Sequence, residues 1–370
     1  MLGAGVEEPG LGGQGLALPA LPGPAPRARA PGHDSLKVNE ACASCHQAIA
    51  EEWRGSMHRA AWVDPVFQKA YAIEAQAFCR SCHAPEADPA SPPDDSAKAV
   101  GVGCTTCHVQ NDRIFAATAP APSAAERGGS SAAPASSSGA PHAVFGDPRL
   151  ATREACGSCH QFDFPGESAV MQDTLREHAR SSFASVECQA CHMPPVPGKS
   201  GERPHRSHAF AVIKNPAMIR RAATVTAQRS GARSVQITIA AAGAGHSFPT
   251  GDMFRRLEVR AEAVDARGTV IARAEPVHLG RTFTDRPKDG RSLEFHRAQA
   301  SDTRVLPPGV GEPRLVAMRF GQPIATARIR WKVLYQRMGT AMAASFGVEQ
   351  AIDEVVVGEG EVPPSIGSVP

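Results

Sequence analysis

The sequence predicts an α+β multidomain chain, a mainly helical, loop-rich half followed by an all-β half. Three observations predict it. The pentapeptide C-x-x-C-H occurs five times between Cys42 and His192 and uses all 10 cysteines. Around those motifs apolar residues recur at spacings of three and four, the period of a helix. Beyond about residue 210 the cysteines stop, and apolar residues alternate with polar ones, the period of a strand. A length of 370 residues accommodates two domains. The expected division is a disordered lead over 1–34, the motif-bearing domain over 35–209, a β-domain over 210–357 and a loose tail over 358–370.

The lead is rich in Gly, Pro and Ala, a composition that does not build a core. After the first motif, Ile49, Trp53, Met57 and Ala60 share one helical face. Asp64-Pro65 reads as an N-cap with proline at the first helical position, and Val66, Ala70, Ile73 and Ala77 form the next stripe. Prolines at 85, 89, 92 and 93 make a loop. Residues 116–141 are nearly all Ala, Pro, Ser and Gly and read as a tether or surface excursion. Helical character returns over Arg149–Cys156 and from about Ser168 to Ser182, where Val170, Met171, Leu175 and His178 share a face. Pro194, Pro195 and Pro197 end the region. Period-two runs follow around Val235–Ile239, Val259–Ala263, Leu315–Phe320 and Ile329–Tyr335, separated by turns such as Asp265-Ala266-Arg267-Gly268 and Pro307-Pro308-Gly309. Several such strands predict a β-sandwich, immunoglobulin-like in kind.

The five motifs carry the chemistry. They are Cys42/Cys45/His46, Cys79/Cys82/His83, Cys104/Cys107/His108, Cys156/Cys159/His160 and Cys188/Cys191/His192. C-x-x-C-H is the attachment signature of a c-type haem. The two thiols add to the two vinyl groups of one porphyrin, and the adjacent His is held under the iron as proximal ligand. The rival is a set of structural zinc or disulfide pairs. Nothing in zinc chemistry requires a His directly after each pair. With 14 His in 370 residues, five such placements by accident have odds of roughly one in ten million. Five covalently attached haem c groups are therefore expected.

The formal charge of +2 gives no case for nucleic acid or an anionic membrane as partner. Five haems, each with two propionates against one net ferric charge, shift the total by about −5 or more. No run of 18 apolar residues marks a transmembrane helix. Glu7 and Glu8 stand where a secretory signal carries basic residues, and the apolar stretch Leu16–Leu21 is short and broken by Pro19. An export signal is not visible in this sequence.

Nine His lie outside the motifs: His33, His58, His142, His178, His205, His208, His246, His278 and His296. Five would close every iron on its distal side. His58 lies 12 residues beyond His46. On a helix that separation is about 18 Å, so the two cannot serve one iron. The same holds for His178 and His192. Both His58 and His178 sit on segments flanking a motif and are candidate ligands, as is one of His205 and His208. His142 precedes the fourth motif. Met57, Met171, Met193 and Met253 read as ordinary packing.

At these residues the chain resembles multihaem cytochromes c of the cytochrome c-554 type. The resemblance lies in C-x-x-C-H followed by Trp53, Ser56 and His58, and in Cys191-His192-Met193-Pro194 followed by Arg206-Ser207-His208. It lies also in His142 with Phe145-Gly146 ahead of a further motif. Gly245-His246-Ser247-Phe248-Pro249-Thr250-Gly251 with Arg255, and Asp302-Thr303-Arg304 before Pro307-Pro308-Gly309, resemble the β-domain of relatives that carry one. The resemblance covers about residues 36–357. It implies His58, His142, His178 and His208 as distal ligands and His246 as a ligand reaching in from a β-domain loop. It implies attachment of haem outside the cytoplasmic membrane, hence a periplasmic or extracellular protein.

The expected function is electron transfer between a donor and an acceptor redox protein, since bis-His ligation leaves no position on iron for a substrate. No catalytic residues are expected. The rival expectation is a haem enzyme reducing nitrite, hydroxylamine or a sulfur oxyanion at one five-coordinate iron. Pentahaem nitrite reductases carry C-x-x-C-K at the active haem, and this chain has no such motif.

Overall fold

In the motif half the helices are short, 5 to 11 residues each. The computed structural model describes residues 34–73, 75, 77–88, 91–117, 142–163, 170–198, 204–210, 212–287 and 295–365. Most of the lead and of the Ala/Pro/Ser-rich segment lies outside them. The helices are α1 (Ser35–Cys45), α2 (Gln47–Arg54), α3 (Pro65–Ile73), α4 (Ala77–His83), α5 (Asp95–Val100), α6 (Cys104–His108), α7 (Glu154–His160), α8 (Thr174–Arg180) and α9 (Cys188–His192). Between them run β1 (Val109–Gln110), β2 (Arg113–Ala116), β3 (Val144–Gly146), β4 (Gln161–Asp163), β5 (Val170–Asp173), β6 (Pro195–Val196) and β7 (His205–Arg206).

Local chemistry sets several boundaries. Asp34 caps α1 by accepting from Lys37 N–H, and Asp64 caps α3 by accepting from Phe67 N–H at 2.9 Å. Two expectations shift. The helix expected to run from Ile49 through Ala60 ends at Arg54, where Gly55 closes it, so Met57 and His58 ride on a turn. The helix expected from Ser168 begins only at Thr174, because Val170–Asp173 pairs as a strand with Gln161–Asp163. The protein core here is thin: Trp62, Ala84, Ala87 and Ala97, with Phe67 and Tyr71 against them.

The second half opens with α10 (Pro216–Arg221) and continues as β8 (Ala223–Gly231), β9 (Ser234–Ala241), β10 (Arg256–Val264), β11 (Val270–Arg273), β12 (Val277–Pro287), β13 (Phe295–Asp302), β14 (Arg314–Arg319), β15 (Arg328–Gln336), α11 (Thr340–Phe346) and β16 (Val355–Val362). Two antiparallel sheets form. One runs β13-β12-β10-β15-β16, with β11 also on β10, and the other runs β14-β9-β8. They share one core: Val235, Ile237 and Ile239 of β9 and Val316 and Met318 of β14 pack with Leu257, Val259, Ile329 and Val333 of the larger sheet. The strand β16 runs through Gly358, where the loose tail was expected to start.

Candidate metal centre

Each motif forms a turn of helix, and that turn builds the site. Residues at i, i+3 and i+4 share one helical face, so both sulfurs and the imidazole project together. This holds in α4, α6, α7 and α9, while the first motif spans the end of α1, with His46 as the joint to α2. Buried amides fix the turns. Asn39 Oδ1 accepts from Cys104 N–H at 2.8 Å, and Gln189 donates to the carbonyls of Leu150 at 3.0 Å and Thr152 at 2.8 Å.

The motif cysteines stand in the places that thioether sulfurs would take. Sulfurs of different motifs meet in pairs. Cys42 and Cys104 share a hydrogen bond, as do Cys82 with Cys159 and Cys156 with Cys188. That sharing, and then burial, pushes Cys104, Cys156 and Cys159 above the usual thiol range. These pairs join the first motif to the third, and the second, fourth and fifth motifs to one another. All five motifs line one cavity of about 1980 Å³. A pocket for one small ligand is typically about 300–1,000 Å³, so this space suits several bound groups.

Four imidazole pairs face each other across that cavity. Ring centres stand 6.4 Å apart for His46 and His142, 6.3 Å for His58 and His160, 6.1 Å for His108 and His208, and 6.2 Å for His192 and His246. A metal–imidazole bond is about 2.0–2.1 Å and the ring centre lies roughly 1.1 Å behind the nitrogen, so two imidazoles on one metal place their centres roughly 6.3 Å apart. All four separations match the span of one iron. By contrast, among the described residues no three His, Cys, Asp or Glu side chains converge as a compact metal cluster. The geometry fits bis-imidazole iron and does not fit zinc-ribbon ligation.

The second ring nitrogen is accounted for in several of these groups. Nδ1 lies 2.8 Å from Phe115 O in His108, 2.7 Å from Arg206 O in His208 and 3.1 Å from Ser247 O in His246. In His83 it lies 2.6 Å from Ala61 O. An Nδ1–H donated to a carbonyl leaves Nε2 free to bind metal. Burial first, and neighbouring imidazoles and an arginine after it, holds His58, His160 and His192 neutral. His58 is pulled down to about 3, through burial and then His160, His208 and His192. His160 is pulled down to about 4, through burial and then Arg255, and His192 to about 4, through burial and then His246.

His83 and His178 stand apart from this pattern. His83 stacks on Phe67, ring centres 3.6 Å apart and 7° from parallel. Among the described residues no other histidine ring faces it. His178 is buried and lines the cavity, with the Val186 carbonyl as a backbone contact of its ring. Its ring lies against the backbone of Gly245, where a Cβ would come within 3.0 Å of its Cδ2. His246, the next residue, occupies the place facing His192. Among the described residues no motif histidine ring faces His178. Of the pair left open by sequence, His208 faces His108, whereas His205 Nε2 stands 3.4 Å from Glu52 Oε2.

Sequence reasoning gave no sign of the carboxylates behind the distal residues. Glu52 Oε2 accepts from His208 N–H at 2.7 Å, and Glu177 Oε2 accepts from Ser247 N–H at 3.1 Å. Both acids carry only a helical-face signal, and their partners lie far along the chain.

Comparison with known proteins finds one family model and one solved structure similar to this chain. A family model described as "Cytochrome c554 and c-prime" matches residues 41–109, the stretch holding the first three motifs. No curated protein matches the chain. Among solved structures, a penta-heme cytochrome c552 from Thermochromatium tepidum is similar over 88% of this chain and 98% of its own, with a TM-score of 0.68 at 22% identity. At that identity the likeness is one of fold, and it spans both halves.

Proposed function

Taking the chain as a multihaem c-type cytochrome, we propose that it carries five haem c groups and transfers electrons between redox proteins outside the cytoplasmic membrane. Cys42/Cys45, Cys79/Cys82, Cys104/Cys107, Cys156/Cys159 and Cys188/Cys191 hold the porphyrins. His46, His83, His108, His160 and His192 are the proximal ligands, and His142, His208, His58 and His246 oppose the first, third, fourth and fifth of them. The observation that carries this reading is the set of four imidazole pairs separated by 6.1–6.4 Å.

Each haem supplies a one-electron iron couple when bound. The chain's own residues do the rest. Each pair of facing imidazoles would hold one haem iron from both sides. The carbonyl partners of Nδ1 orient the rings. No helix of the described residues is long and apolar enough to cross a membrane. The two-sheet half, which we read as an immunoglobulin-like sandwich, contributes His246 and covers that side of the cavity.

A second reading is favoured by His83 alone. With no imidazole opposite it among the described residues, a haem held by His83 would leave room for a small ligand, and we assign no iron to His178. A small nitrogen or sulfur oxyanion reduced there would make the protein an oxidoreductase supplied with electrons by the other four sites.

One preparation tests both readings. The full chain is made with an export signal in a host competent for cytochrome maturation, then examined by mass, haemochrome absorbance and electron paramagnetic resonance. Five haems are expected, at least four of them with low-spin ferric signals, and a high-spin fifth supports the second reading. A colourless product, or one containing zinc, overturns the first reading. Five low-spin signals overturn the second.

A further inference from the structure

We infer that Glu177 is a positioning residue for His246: its carboxylate, on the motif half, fixes the loop of the β half that brings this imidazole opposite His192. The inference rests on the assignment of His192 and His246 to one iron.

Glu177 sits on α8 and is 3% exposed. Its Oε2 accepts two hydrogen bonds from one loop, from Ser247 N–H at 3.1 Å and from the Thr250 hydroxyl at 3.0 Å. The Thr250 hydroxyl also lies 3.0 Å from that of Thr174, at the start of the same helix. Arg304 Nη2 stands 2.6 Å from Glu177 Oε1 and 2.6 Å from Asp302 Oδ2. Arg304 Nη1 reaches Pro249 O at 3.4 Å. The segment after His246 is thereby held by a carboxylate on one side and by that carboxylate's own counterion on the other.

The choice of group has a physical reason. A buried carboxylate is costly unless it is paired and fully hydrogen-bonded. Here the pairing crosses from one half of the chain to the other, so the cost is met only when the loop is seated. The bond goes to the peptide joining His246 to Ser247, and His246 Nδ1 lies 3.1 Å from Ser247 O. Main chain and ring are thus fixed together. An iron–imidazole bond of about 2.0 Å tolerates no displacement of the loop on the scale of an ångström. The same device recurs at His208, whose own N–H is held by Glu52 Oε2 at 2.7 Å. Two acids on the motif half hold the backbone of, or beside, two distal histidines.

The test uses the full haem-loaded protein and carbon monoxide, which binds a reduced haem only where an axial position is open. H246A sets the scale and is expected to add one carbon-monoxide-binding, high-spin haem to the number found in the parent. If H246A adds none, the ligation itself is wrong and the inference falls with it. E177A is expected to raise the carbon monoxide binding rate at that haem at least about tenfold, the effect of losing one charge-assisted hydrogen bond from the held conformation. It is also expected to introduce a ferric high-spin fraction. E177Q keeps an oxygen acceptor for Ser247 N–H and should fall between E177A and the parent. If E177A fails to mature with five haems, E177Q and T250V carry the test with the same expected direction. The inference is overturned if H246A opens its haem while E177A, or E177Q and T250V in its place, bind carbon monoxide as the parent does and remain fully low-spin.

Discussion

An imidazole packed among other imidazoles stays neutral, and that makes the site sensitive to acid. His58 is pulled down to about 3, and His160 and His192 to about 4, burial being the largest cause in each. In the unfolded chain these groups titrate near 6.5. As pH falls below that value the unfolded state takes up protons that the folded state does not. Stability is therefore full above about pH 6.5 and declines as pH falls toward 4. An imidazole on iron must also be neutral, which acts in the same direction. Denaturant midpoints measured from pH 8 to 4 should be level at first and then fall, with the low-spin spectrum lost along the same curve. A midpoint unchanged across that range would contradict the assignment. At this scale the motif cysteines and histidines stand out in the sequence because one pentapeptide would encode a complete attachment unit. The distal histidines were legible only as candidates. His142 and His46, or His246 and His192, meet through the tertiary fold, and no local spacing couples them. His178 shows the limit: its flanking sequence resembles that of His58, yet it faces Gly245 and not a motif histidine.

Elements were legible where burial and period agree. The strands β9, β10, β14 and β15 follow the alternation of Val235–Ile239, Val259–Ala263, Leu315–Phe320 and Ile329–Tyr335. Leu315 is 64% exposed beside buried Val316, as alternation requires. The missed strands have other causes. Val170–Asp173 carries an apolar pattern compatible with a helix, and its pairing with Gln161–Asp163 decides the outcome. In β16, Gly358 and Gly360 read as loop residues, but they are small because side chains press on them. A Cβ at Gly358 would lie 2.9 Å from Val225 Cβ, and one at Gly360 would lie 2.8 Å from Trp331 Cζ2. Glycine inside a strand marks such close approach. Val225 Cβ cannot rotate away, so Gly358→Ala should destabilise the β half by about 1–3 kcal/mol through overpacking. Urea unfolding followed by far-ultraviolet circular dichroism checks this. An unchanged midpoint would mean that β16 is not packed on β8.

On the scale of the whole molecule, the halves are joined by buried charge as well as by apolar contact. Val66 of α3 packs with Met338, Ala343 and Val348 of the β half. Beside it, Arg337 grips Asp64 through two bonds, Nη1 to Oδ2 at 2.7 Å and Nη2 to Oδ1 at 2.6 Å. The side chains are 9% and 7% exposed. Arg281 donates to the carbonyls of Val170 and Met171, and Arg304 stands against Glu177. Nothing local announces these pairs, since Asp64 and Arg337 are 273 positions apart and Asp64 alone reads as a helix cap. Asp64 holds both roles at once, capping α3 and receiving Arg337, so the helix that stacks Phe67 on His83 is positioned by the β half. Removing one partner of such a pair leaves the other buried and uncompensated, at a cost of about 3–5 kcal/mol. R337M spares the cap and is the cleaner variant. In the parent, thermal unfolding followed by Soret absorbance and by circular dichroism of the β strands should coincide in one transition. In R337M the Soret transition should move to lower temperature and separate from that of the strands, because the junction fails before either sheet does. If the two probes remain coincident and unshifted, the Asp64–Arg337 contact does not couple the halves, and the imidazole that the β half contributes is held by the loop at Glu177 alone.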